Sequence, residues 1–219
     1  MPAGPSRLAY PRLRFLMTDT MGPFLIFLGI LLVGLLVLAV IVVGMYNGLV
    51  TLRNAFRNAF AQVDVQLKRR HDLIPNLVET AKGYLAHESG TLTAVIEARA
   101  KATQANVRLA GNPNDPAAMR DVLQAESGLS GALGRLMVVS ENYPQLKADT
   151  QMRALMEELT STENRIAFAR QAYNDSVLAY NNGRETFPQV LVANTFGFVP
   201  ADFFKVENEA ERAAPSVKF

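Results

Sequence analysis

The densest run of chemistry-bearing side chains is Gln62 to Glu79, QVDVQLKRRHDLIPNLVE, in which three acids, three consecutive cations and a histidine fall within a few helical turns. Three carboxylates along the chain are candidates for acid–base work. Asp64 flanks the apolar stripe of its own segment, Glu126 interrupts the stripe of a later one, and Glu163 lies beside that of the last. Carboxylates brought together across helices can divide the roles of general acid and general base. The same residues can instead pair with Arg70, Arg165 or Arg170 and fix helix register. Pairing is the expected use, and a carboxylate enzyme site is the alternative.

The remaining chemistry is bounded by what the chain lacks. Among its 219 residues there is no cysteine, which excludes disulfides, thiol nucleophiles and cysteine-ligated metals. His71 and His87 are the only histidines, and neither belongs to a His-x-x-x-His or Glu-x-x-His pair, so no metal or other cofactor is expected. No Gly-rich phosphate loop, nucleophile elbow or kinase signature occurs. A net charge of +2 argues against a nucleic-acid partner. Lys68, Arg69 and Arg70 lie about 35 Å of helix beyond the apolar run described next, several Debye lengths from any headgroup. Ion pairing or a solvated face is expected for them, with a partner-protein site as the second reading. The interaction or polar-network candidates are therefore Asp64, Lys68, Arg69, Arg70, His71, Glu163 and Arg170.

The elements that must position these residues start with an apolar block. From Phe24 to Met45 the sequence reads FLIFLGILLVGLLVLAVIVVGM, without a charge. As a helix it is about 33 Å long, against a hydrocarbon core of about 30 Å. A retained anchor contacting the bilayer through residues 24–45 is expected. A signal h-region is shorter and ends in a small-x-small cleavage site, and a core helix is the third reading. Pro23 suits a first helical position, and Tyr46, Arg53 and Arg57 suit the membrane interface. Three arginines before the span (Arg7, Arg12, Arg14) against two after it place the N-terminus in the cytoplasm by a narrow margin, leaving the rest of the chain extracytoplasmic.

Beyond the span the periodicity is helical throughout. Leu49, Leu52, Phe56, Phe60, Val63, Leu67, Ile74, Leu77 and Ala81 form one stripe to about Gly83, interrupted only at positions 70 and 71. Pro75 lies inside it and frees the His71 carbonyl, which then needs another donor, and a kink is expected there. A second helix over about 88–109 turns Leu92, Val95, Ile96, Ala102 and Leu109 inward. A third, capped by Asp115 with Pro116 at its first position, uses Met119, Leu123, Leu129, Leu133, Leu136 and Met137. A fourth spans about 146–181 with Met152, Leu155, Leu159, Ile166, Ala169, Tyr173, Val177 and Tyr180 inward. After Gly183, the rings Phe187, Phe196, Phe198, Phe203 and Phe204 are expected to cover one end of the helices, with a membrane-surface or partner contact as the alternative.

The run QVDVQLKRRHDLIPNLVETAKG (62–83), placed soon after the span and Tyr46-Asn47-Gly48-Leu49-Val50, resembles the LemA family. AVIEARAKA (94–102), LSGALGRL (129–136), YPQL (143–146), TENRIAFARQAYNDSVLAY (162–180), Phe187-Pro188 and Phe196-Gly197-Phe198 continue the likeness in order. The resemblance implies a membrane-anchored bacterial four-helix domain, and it carries no catalytic residues to transfer.

The expected organisation is all-α, a single transmembrane helix followed by an antiparallel four-helix bundle. The expected boundaries are an N-terminal extension over 1–22, the span over 23–45, the helical domain with its aromatic segment over 46–205, and a flexible tail over 206–219. The expected function is an interaction module or scaffold in the bacterial inner membrane, not an enzyme, with a protein partner or self-association. A lipid-sensing or membrane-organising role through Arg53 and Arg57 is the further alternative.

Overall fold

The computed structural model describes residues 15–85, 87–111 and 115–204, with side chains from residue 22 onward. The described residues are all-α: α1 (Phe15–Lys82), α2 (Ser89–Gly111), α3 (Pro116–Ser140), α4 (Pro144–Ala148), α5 (Thr150–Glu185) and α6 (Gln189–Thr195). No strand occurs among them. The chain divides into two compact units, residues 1–48 and 49–219. Most of the N-terminal extension, part of the turn before α3 and the tail over 206–219 lie outside the described residues.

In the first unit, α1 leaves its apolar residues uncovered. Phe24, Ile30, Val33 and Val40 are each more than 60% exposed. The helix holds a window of mean hydropathy 3.4, none of it buried by the rest of the chain, and is long and apolar enough to cross a membrane. At about 25 cal/mol per Å² of apolar surface, such a run calls for a cover that the chain itself does not supply. Pro23 is not the first helical residue, because α1 already starts at Phe15. A proline removes one helical hydrogen bond, and a helix extending on both sides of it can absorb that loss.

In the second unit the predicted α1 stripe is buried from Leu49 to Ala81, apart from the half-covered Leu52. Ile74, Leu77 and Ala81 pack with Leu92 and Val95 of α2, Leu129 and Leu136 of α3, Leu146 of α4 and Leu159 of α5 in one core. Two expected core residues face outward. Ile96 is 50% exposed and Met137 is 38% exposed, because Val95 and Leu136 beside them take the inward positions. Successive helix positions differ by about 100°, so neighbours do not share a face.

The expected fourth helix is interrupted. Asp149 (φ −61°, ψ 128°) ends α4 and caps α5, its carboxylate accepting the Met152 N–H at 2.9 Å. The Tyr84 hydroxyl donates to the same carboxylate at 3.0 Å, tying the end of α1 to this corner. Asp115 caps α3 as its type and position suggested, accepting from Ala117 N–H at 2.8 Å.

After α6 the chain doubles back along α5 as an extended strap. Gly197, at φ +71°, ends α6: the Phe198 N–H reaches the Ala193 carbonyl at 2.9 Å while Phe196 N–H reaches Val192. That six-to-one closure needs a left-handed residue, which glycine supplies without a steric cost. Asn181 donates to the Ala201 carbonyl at 2.9 Å and accepts its N–H at 3.0 Å. Asn174 does the same with Phe204, at 3.2 and 2.8 Å. Tyr180 and Tyr173 hydroxyls donate to the carbonyls of Val199 (2.8 Å) and Asp202 (2.9 Å). Seven helical residues rise about 10.5 Å and three extended ones about 10 Å, so the two ladders stay in phase. The rings therefore do not simply cap an end. Phe198 and Phe204 are buried beneath the strap, whereas Phe187 is 75% exposed.

Candidate functional site: a buried ionic cluster

The two positions that break the α1 stripe, Arg70 and His71, are among the most buried polar residues described, at 4% and 2% exposure. They sit at apolar-stripe spacing between Leu67 and Ile74, so the helix that buries those residues must bury these too. A buried charge is tolerated only when it is paired and hydrogen-bonded. The partner is Glu126, itself buried on α3: Arg70 lies 3.2 Å from its Oε2 and His71 Nε2 lies 2.7 Å from its Oε1. Because a carboxylate oxygen accepts, Nε2–H is the donor of this bond. Arg70 also donates to Ser130 Oγ at 2.6 Å and pairs with Glu163 at 3.2 Å. Thr103 Oγ1 of α2 lies 3.4 Å from His71 Nδ1.

Pro75 supplies the next layer. It has no N–H to offer the His71 carbonyl, and Arg99 of α2 donates its Nε–H there at 2.6 Å. The backbone acceptor released by the proline thus becomes a fixed link between α1 and α2. Around this centre lies a more exposed ring. Asp64 accepts from Lys68 at 2.9 Å and from the buried Asn106 at 2.8 Å, and Arg69 meets Glu158 at 2.6 Å.

All three members of the basic triplet are ion-paired. Asp64, Glu126 and Glu163 do not converge as free carboxylates: each already holds a cation, and Glu163 is exposed. Of the other candidates, Arg170 places its guanidinium 5.1 Å from the Phe204 ring and Arg53 places its own 5.1 Å from Phe198. Both are joined to the strap by cation–π contact. Arg165 and Arg57 are exposed, and Tyr46 is 37% exposed.

The LemA family profile matches residues 59–219, a stretch containing every member of the cluster and the strap. The chain belongs to the LemA family. Relatives include the magnetosome protein MamQ of Magnetospirillum gryphiswaldense, 26% identical over 201 residues, covering 84% of this chain and 73% of that protein. The magnetosome protein MamQ 2 of Paramagnetospirillum magneticum is 27% identical over 178 residues, 73% of this chain and 64% of that protein. Protein LemA of Metamycoplasma hominis is 25% identical, over 78% of this chain and 73% of its own length.

In this LemA domain, sequence reasoning missed Arg99, Thr103, Asn106, Ser130 and Glu158. Asn106 had a readable signal, since it follows Ala102 by four and precedes Leu109 by three on the α2 stripe. A polar side chain at that spacing must be buried with a partner. Arg99 had a weaker one: the orphaned His71 carbonyl required a donor, but not from any particular helix.

Proposed function

We propose that this protein is a membrane-anchored interaction module: a single-pass anchor in the bacterial inner membrane presenting an antiparallel four-helix bundle, formed by α1 from Leu49 onward with α2, α3 and α5, on the extracytoplasmic side. The observation that carries this reading is the buried cluster around Arg70, His71 and Glu126, whose polar groups bond to one another and to Ser130 and Glu163. A charge network satisfied in this way fixes the register of helices and supports a rigid surface. An acid–base site would need a carboxylate free to exchange protons with a substrate, and the pairing of Asp64, Glu126 and Glu163 weighs against that alternative. Two relatives are named for a cellular structure and none of the three for a reaction, which supports the same reading.

The test uses single cysteines introduced into the cysteine-free chain at exposed positions such as Val107 and Val138. In intact membranes, thiol crosslinking should trap a protein partner or a second copy. Labelling with an impermeant maleimide should mark both positions from outside the inner membrane. Recovery of neither adduct from any exposed helix face would overturn the module reading, and labelling only after permeabilisation would overturn the orientation.

A further inference from the structure

Gly183, near the end of α5, lies so close to α1 that a Cβ there would meet Leu52 Cδ1 at 2.7 Å. Leu52 follows Met45, the last residue of the apolar run, by seven residues, which as connected chain span at most about 25 Å. The chain therefore tethers the α5–α6 corner close to the place where the anchor leaves the hydrocarbon. At this corner Val192 and Ala193 are buried and hold α6 in place, but Phe187 (75%), Leu191 (59%) and Val199 (60%) are exposed. Three arginines accompany them. Arg53 stacks on Phe198, Arg184 is largely covered, and Arg57 is exposed. All three lie near enough to Tyr180 that their charge opposes the upward push of burial on its hydroxyl. The acid beside them is Glu185, exposed and 3.5 Å from Arg184.

Exposed aromatic and aliphatic side chains beside cations are the composition of a surface that lies in a bilayer interface, with apolar groups at the acyl boundary and cations at the headgroups. We propose that the α5–α6 corner is a second membrane contact, inserting Leu191 and Phe187 into the leaflet next to the anchor while Arg57 engages anionic phospholipid headgroups. The proposal rests on membrane anchoring through residues 24–45, and on no partner protein.

The test uses the full chain reconstituted in phosphatidylcholine vesicles with and without phosphatidylglycerol, carrying one environment-sensitive fluorophore at Leu191→Cys, Val199→Cys or Val107→Cys. Brominated lipids should quench the probe at 191 roughly twofold more than the probe at 107, and more strongly when phosphatidylglycerol is present. Arg57→Gln should remove the phosphatidylglycerol dependence and Arg57→Lys should retain it, both with unchanged circular dichroism. Equal quenching at 191 and 107 would overturn the proposal. So would shielding of position 191 in lipid-free detergent that grows with protein concentration, which would identify a second copy as the cover.

Discussion

Pro75 and Arg99 exert their effects on a single atom, the His71 carbonyl oxygen. Arg99→Ala leaves that buried acceptor unsatisfied, at a cost of about 1–3 kcal/mol. Pro75→Ala supplies a backbone N–H one helical turn away and should cost little by itself. The double variant should therefore be more stable than Arg99→Ala alone, because the amide restored at position 75 can bond the carbonyl that Arg99 abandoned. Urea unfolding of the four proteins measures this cycle, and strict additivity would show that Arg99 acts elsewhere. Glu126 is a different case. It faces both Arg70 and His71, so removing it strands buried polar groups, whereas exposed pairs such as Lys82–Glu79 contribute at most about 1 kcal/mol. The sequence revealed that positions 70 and 71 were special by interrupting a stripe. It did not reveal their partners, because pairing across helices depends on rotation about each helix axis, which periodicity leaves open to within about a residue.

Among the elements, the strap depends on few interactions that can be removed one by one. Burial and the negative field of Asp202 push Tyr173 from 10.0 up to about 12. A raised pKa means the fold favours the neutral phenol. That contribution is fully present below about pH 10 and is lost as pH rises through about 12, on the order of 2 kcal/mol. Alkaline unfolding followed by helix content should therefore show a limb in that window. Tyr173→Phe, which keeps the edge contacts with Phe56 and Phe60, should remove the limb at the cost of about 1 kcal/mol for the lost hydrogen bond to Asp202. An unchanged limb in the Phe variant would assign it to another group. The four long helices were legible because each exceeds four turns with a regular stripe. The break at Asp149 was harder to see: no glycine or proline lies between Pro144 and Met152 to mark it, and the cap residue could equally be read as a solvated helical aspartate. The path of the strap was hidden for a related reason, since its hold comes from side chain to backbone bonds that leave no hydrophobic period.

For the whole molecule, the division at Gly48 and Leu49 separates a part whose apolar surface is outside from a part whose apolar surface is inside. Residues 49–219 expressed without the anchor should remain soluble and helical, with cooperative thermal unfolding, since the core residues all lie in that unit. Circular dichroism with gel filtration checks this. Aggregation with exposed-core dye binding would mean that the first unit supplies part of the fold. The same absence of cysteine that excluded thiol chemistry makes every introduced thiol a unique reporter of sidedness and contact.

The match between seven residues of α5 and three of the strap behaves as a vernier. Adding or deleting one residue between Ala201 and Phe204 would shift one asparagine against its rung by about 3.3 Å, leaving at most one of the two amides seated. Exchanging the exposed side chain of Pro200 or Asp202 leaves the rungs in place, because the backbone makes the bonds. Among natural variants of this domain, that segment should therefore be intolerant of changes in length while remaining permissive in composition.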